Sequence, residues 1–170
     1  YGNFILAEDD QTLERVVLDE LTARRATLAV VEMFTGGQIA GRLVPLPGAE
    51  KAIRRGVVSL ELADVCAAVR LDVPTAIDAI DRNAAEEVAK AARLTAGATH
   101  ALAVLLDLDE GTDRIDFGAS VCLAIASSHD VVSRRSRIVG GRDWLRLGAI
   151  ELGLDCLRRY LQGLPVDERI

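Results

Sequence analysis

The chain has 170 residues, half of them hydrophobic, 27% charged and only 4% aromatic. That balance excludes a disordered or fibrous protein and supplies an aliphatic core to a chain able to bury roughly 70% of its unfolded surface. A formal net charge of −6 and a pI near 5.0 argue against a general electrostatic hold on nucleic acid, which needs clustered Lys and Arg facing the phosphates. No apolar run approaches the roughly 20 residues that span a bilayer, so no membrane partner is expected. Cys66, Cys122 and Cys156 are odd in number and form no Cys-x-x-Cys pair, which reads as reduced, buried thiols. The N-terminus lacks the basic start and apolar stretch of a signal peptide, and a cytoplasmic location is expected.

Leu13, Val16, Val17 and Leu21 recur at helical spacing between Asp9 and Arg24, with Asp10 placed to cap the first turn. Ala26 to Val31 reads as a strand, Thr35-Gly36-Gly37 as a turn and Gln38 to Val44 as a helix broken by Pro45, Pro47 and Gly48. A short Ala49 to Arg54 segment, a second strand at Gly56 to Leu60 and a helix at Leu62 to Val69 follow. Beyond Pro74 come helical patterns at Thr75 to Asp81 and Asn83 to Ala96, the second with Asn83 as N-cap, Glu86 at the third position and Gly97 as its stop. His100 to Leu106 and Gly118 to Ser127 read as buried strands around a polar loop at Asp107 to Asp116. A basic, β-branched stretch (Val131 to Val139) then leads through Gly140-Gly141 into a long amphipathic helix, Trp144 to Leu161. Such alternation predicts an α/β fold, a three-layer α/β/α sandwich around a mixed sheet of about five or six strands. With no repeat or linker, residues 1–170 are expected to form one domain.

The most informative run is Leu28-Ala29-Val30-Val31-Glu32-Met33-Phe34-Thr35-Gly36-Gly37, continued by Gly41-Arg42-Leu43 and Pro47-Gly48-Ala49. Together with Gly56-Val57-Val58, Gly118 to Ala126, and Gly141-Arg142 with Arg146, it resembles the C-terminal domain of the CinA family, nicotinamide mononucleotide amidases. In that family the first strand ends in Glu-Ser-Cys-Thr-Gly-Gly. The resemblance covers nearly the whole chain and implies the same layered fold.

It also implies where the chemistry should be, and there the sequence departs. The expected serine nucleophile, which must be an activated hydroxyl near a base, corresponds to Met33, and the neighbouring cysteine to Phe34. The family segment Ala-Tyr-Ser-Asn-x-x-Lys is replaced by Ser59 to Val65, so that Leu60 stands for the tyrosine and Val65 for the activating lysine. A third motif, Thr-Gly-Ile-Ala-Gly-Pro, is replaced by Leu105 to Glu110. No catalytic residue is therefore assigned, and the reading leans away from an enzyme. A CinA-like protein that has lost amidase activity and serves as a binding or assembly module comes first; an active amidase with relocated residues and a structural subunit of a larger complex are the alternatives.

Thr35, Gly36 and Gly37 suit either a tight turn or an anion site at a helix start. Arg142 and Arg146, four residues apart, project from one side of a helix and complete the candidate ligand-binding set. Gly36-x-x-x-x-Gly41-Arg42-Leu43 echoes a Walker loop but lacks its Lys and its Ser or Thr, so no NTPase is expected. Arg134, Arg135 and Arg137 read as a charged edge strand. His100 and His129 stand alone, and the Asp107, Asp109, Asp113 spacing fails the calcium-loop pattern at Gly111 and Thr112, so neither metal nor cofactor is expected. Glu61, Asp107, Asp109 and Glu110 make the end of the sheet acidic, which predicts weak or no binding of a phosphorylated ligand and leaves room for a neutral, cationic or metal-bridged small molecule. Abundant apolar strands favour a homo-oligomer.

Overall fold

The computed structural model describes residues 11–72, 79–109 and 117–167. Helix α1 is Leu13–Ala23. Thr12 caps it, its Oγ1 accepting from the Arg15 amide at 3.2 Å; Asp10, the expected cap, lies outside the described residues. The helix closes by turning Arg25 left-handed (φ 53), so that the Ala26 amide reaches back to the Leu21 carbonyl at 2.8 Å. That closure uses Ala26, and strand β1 consequently starts late, at Leu28–Met33 instead of Ala26 to Val31.

Helices α2 (Gln38–Leu43) and α3 (Ala49–Ala52) follow. Strand β2 (Ile53–Ser59) leaves α3 without a loop and is longer than Gly56 to Leu60. Next come α4 (Leu62–Ala68) and α5 (Arg82–Ala96). The cap of α5 is Asp81, not Asn83: its side chain accepts from the Ala84 amide at 2.7 Å, while Asn83 is already inside the helix. Gly97, left-handed at φ 63, ends α5 as expected. Strands β3 (His100–Leu108), β4 (Gly118–Ser127) and β5 (Val131–Val139) precede the long helix α6 (Arg142–Leu161). Most of the Thr75 to Asp81 pattern and residues 110–116 lie outside the described residues.

The five strands form one mixed sheet in the order β2-β1-β3-β4-β5. Strands β2, β1 and β3 are parallel, and β4 is antiparallel to both β3 and β5. Helices cover both faces, which gives the three layers. Alternation along the strands sorts the core by size. One face carries Leu28, Val30, Leu102, Val104, Leu123 and Ile125 under α1, α2 and α6. The other carries Ala29, Ala101, Ala103, Ala124 and Ala126 under α4 and α5, with α5 contributing Ala84, Ala85, Ala89 and Ala92. Alanine against alanine brings α5 close to the sheet.

All three cysteines are buried and unbonded to one another. Burial pushes their thiols up, that of Cys156 to about 11, so they remain protonated and unreactive at neutral pH.

Candidate functional site

Because β5 runs in the same direction as β1, β2 and β3, the carboxyl ends of four strands and the start of β4 converge at one end of the sheet. Open α/β sheets place ligands outside such ends.

Glu32 is the organising residue there. It lies on the large-side-chain face of β1, toward α2, and is completely buried. Its Oε1 accepts from the Thr35 hydroxyl at 2.6 Å and the Ile39 amide at 2.9 Å, and its Oε2 accepts from the Ala40 amide at 3.0 Å. The N-cap of α2 is Gly37, held at φ 83 with no side chain to cap the helix. A Cβ there would stand 3.2 Å from Val58. The turn therefore needs glycine, and the strand supplies the missing acceptor. Two amides of the first turn of α2 are thus spent on a carboxylate belonging to the chain itself, and Thr35, also fully buried, serves the same group. Composition and spacing alone assign Glu32 no role; the one signal is a single acidic residue closing an otherwise apolar strand before Gly-Gly.

The opposite parity of β1 turns Met33 toward α4. Met33 is 5% exposed and Val65 is fully buried, and both belong to one apolar cluster with Val57, Cys66 and Leu105. The two positions that correspond to nucleophile and base are brought together as packing. Leu60, at the third such position, stands 75% exposed beyond the end of β2.

Phe34 follows Met33 in the left-handed region, φ 74, a conformation unusual for a residue with a side chain. Its ring lies beneath Arg142, whose guanidinium carbon is 5.7 Å from the Phe34 centroid and 6.0 Å from that of Phe117. Both distances fall within cation–π range. Arg146, one turn further along α6, donates to the Gln38 side chain on α2 and lies 3.7 Å from Asp143. The fold therefore gathers Thr35, Gly36, Gly37, Arg142 and Arg146 at one end, with two aromatic supports under Arg142: Phe34, which the sequence reading matched only to the family's cysteine, and Phe117, which it did not single out.

Of the expected acidic rim, one described member is paired. Asp109 is bound by both terminal nitrogens of Arg137, one at 2.6 Å. Asp107 and Glu61 point into solvent, and Glu110 lies outside the described residues. Arg134 bonds Ser136 and the Val166 carbonyl, and Arg135 bonds Ser120, so the basic strand is tied to its own chain. Arg42 is held away from the site by Glu14, at 2.8 Å, and by Glu151. Burial raises the Glu14 carboxyl, but Arg42 beside it holds it below the usual range.

A five-stranded α/β/α sandwich with a Glu-x-x-Thr-Gly-Gly strand-to-helix turn at its carboxyl end and an arginine helix start facing it defines a layered α/β domain of the open-sheet class. Comparison with known proteins gives the particular family. The profile of the CinA C-terminal domain matches residues 10–161, and the chain belongs to that family. It is 36% identical over 161 residues to a CinA-like protein of Frankia casuarinae (strain DSM 45818 / CECT 9043 / HFP020203 / CcI3), covering 94% of this chain and 37% of that protein. A CinA-like protein of Myxococcus xanthus (strain DK1622) is 32% identical over 168 residues, covering 96% of this chain and 40% of that protein. The chain thus spans about two fifths of the length of these relatives. Among solved structures, a CinA-superfamily protein from Klebsiella pneumoniae superposes with a TM-score of 0.76 at 21% identity, covering 90% of this chain and 99% of that one. The competence/damage inducible protein CihA from Agrobacterium tumefaciens gives 0.74 at 24% identity, covering 88% and 93%.

Proposed function

We propose that this chain is a CinA-family domain that does not hydrolyse nicotinamide mononucleotide and works as a binding or assembly module. The observation that supports this is the burial of Met33 and Val65 in a single apolar cluster. A thioether and an isopropyl group buried in one apolar cluster offer no nucleophile and no proton acceptor. Ammonia release from nicotinamide mononucleotide tests the reading. The protein is expected to match a buffer blank, and so is Met33→Ser, because a hydroxyl without an activating base stays weak. Turnover above the blank by either protein overturns it.

The ligand end favours an anion more than the sequence suggests. An unpaired carboxylate about 5 Å from a phosphate costs on the order of 3 kcal/mol per unit charge at an effective dielectric of 20, but Asp109 is neutralised by Arg137 and Arg142 stands above Phe34 beside the turn. In calorimetry, nicotinamide mononucleotide is expected to bind more tightly than nicotinamide riboside, and Arg142→Ala is expected to remove the difference. For assembly, Leu60, Trp144 and Val58 are 75%, 63% and 55% exposed, which supports a homo-oligomer; a monomer mass by light scattering at micromolar concentration would count against it.

A further inference from the structure

The sheet has two edges, β2 and β5. An edge strand offers its unpaired backbone groups to another chain unless something blocks it. The β5 edge is blocked. Arg82, at the start of α5, donates to the Ser133 carbonyl at 3.0 Å and to the Ser133 hydroxyl at 3.1 Å, and pairs with Asp167 at 3.2 Å. Arg134 donates to the Val166 carbonyl at 3.3 Å, so the segment after α6 is tied to the first half of this strand. The second half carries its own obstacle. A two-fold that continued the sheet through β5, centred on Arg134, Arg135, Ser136 or Arg137, would set an arginine directly opposite an arginine in every case. Like charges so placed are destabilising.

Strand β2 has no such block. It pairs with β1 alone, and Arg54, Arg55, Gly56 and Val58 are exposed along it. Its register against β1 slips at Arg54, a bulge that ends the regular edge there, and the strand stops at Ser59. The usable edge is therefore Arg55 to Ser59, with Val57 at its middle. An antiparallel two-fold centred on Val57 sets Val58 of each copy opposite Gly56 of the other, on the face that carries Val30 and Glu32. Val58 is an exposed valine without cover, and a Cβ added at the exposed Gly56 would meet only Ala40 within 4 Å, at 3.8 Å. Val44, one turn beyond Ala40 on α2, is also exposed and extends the apolar strip.

The charges match in the same arrangement. Lys51, Arg54 and Arg55 stand at the start of β2, and Glu61 and Asp64 just beyond its end, all exposed. Antiparallel pairing lays the basic start of one copy beside the acidic end of the other, and sets Arg55 opposite serine instead of arginine. Among the described residues, Lys51, Arg54, Glu61 and Asp64 take part in no ion pair within the chain.

We propose that two copies of this chain associate through β2, antiparallel about Val57, so that two five-stranded sheets become one of ten strands. The proposal deepens the homo-oligomer reading above and rests on it. The contact is isologous and consumes the open edge, and with β5 blocked the assembly stops at a dimer.

Light scattering of the natural protein at micromolar concentration is expected to give about 36 kDa, twice the 18.2 kDa of one chain. Val58→Lys, at an exposed position, sets an ammonium near the partner's Arg54 and is expected to weaken association at least about tenfold. Trp144→Ala, on the β5 side of the molecule, is expected to leave the mass unchanged. Circular dichroism checks that both variants fold. Cross-linking reads the register, since the natural thiols are buried. Residues directly opposite in an antiparallel pair have Cα atoms about 4.5–5.5 Å apart, within disulfide reach. The double variant Arg55→Cys, Ser59→Cys is therefore expected to form an intermolecular disulfide on mild oxidation, and Arg55→Cys alone is not. A monomer mass for the natural protein overturns both this interface and the homo-oligomer reading. An oligomer that survives Val58→Lys, dissociates on Trp144→Ala, exceeds the dimer mass or fails to cross-link in the double variant overturns this interface and leaves the homo-oligomer standing.

Discussion

Replacing Glu32 with Ala would strand three donors at once: the buried Thr35 hydroxyl, the buried Ile39 amide and the half-buried Ala40 amide. A hydrogen bond to a charged group is worth about 1.5–3 kcal/mol, and a buried donor left alone costs about 1–3 kcal/mol. The three bonds share one carboxylate, so they do not add, and water reaches the Ala40 amide more easily than the other two. A loss of about 3–5 kcal/mol is expected, or a fall in Tm of about 10 °C at the 2–4 °C per kcal/mol usual for this size. Glu32→Gln preserves the acceptor for Thr35 and Ile39 but turns an amide NH2 toward the Ala40 amide, donor against donor, and should cost about 1.5–3 kcal/mol. Urea unfolding followed by circular dichroism measures both, and Thr35→Val completes a double-mutant cycle in which a coupling above about 1 kcal/mol is expected. If Glu32→Ala lost less than about 1 kcal/mol, or if Glu32 and Thr35 proved additive, the carboxylate would not be what holds the start of α2.

Gly118→Ala should destabilise the protein by about 1–3 kcal/mol, because a Cβ there would run into the Ile138 carbonyl oxygen and the Arg137 guanidinium on the neighbouring strand; chemical denaturation of the variant reads this directly. A pH series tests His100. Its folded pKa lies below the ordinary 6.5 because burial disfavours the charged ring, so the unfolded state binds the extra proton, and the contribution of His100 is complete above 6.5 and lost as the pH falls below it. Urea midpoints at pH 7.5 and 5.5 should therefore differ more in the natural protein than in His100→Phe, a window that stays above the titration of Glu14 and Glu20. Equal differences would show that His100 does not prefer its neutral form on folding.

The elements easiest to read in the sequence were those with a single dominant demand. Strand β4 appears at its expected limits, Gly118–Ser127, because both of its faces are buried and its apolar run is broken only by the small Ser120. Gly97 marks the end of α5 because a left-handed residue was needed there. Boundaries slipped where two neighbours compete for one job: Asp81 and Asn83 both suit an N-cap, and only the Asp81 to Ala84 bond separates them. The site was legible in outline, since Thr35 to Gly37, Arg142 and Arg146 do share one end of the sheet. Its wiring was not. Glu32 reaches amides seven and eight residues ahead through the turn, and the Arg137 to Asp109 pair depends on the register of β3, β4 and β5, neither of which a local pattern carries. The Tyr160 to Asp130 bond likewise joins residues distant in sequence, brought together by the return of α6.

The sorting of the sheet into a leucine face and an alanine face makes the two halves of the core unequal in their tolerance of change. A leucine layer can trade one rotamer for another when a neighbour grows or shrinks, and swaps that conserve volume disturb such a layer little. Alanine has no side-chain torsion to readjust and loses no side-chain entropy on burial. Where Ala101, Ala103, Ala124 and Ala126 meet Ala84, Ala85, Ala89 and Ala92, the separation between α5 and the sheet is set largely by methyl groups, with Val88, Val31, Leu105 and Cys122 as the larger side chains of the layer. Larger residues at Ala101, Ala103, Ala124 or Ala126 have to move a fifteen-residue helix as a rigid body. Substitutions of like volume are therefore expected to be tolerated better on the face under α1, α2 and α6 than in the layer beneath α5.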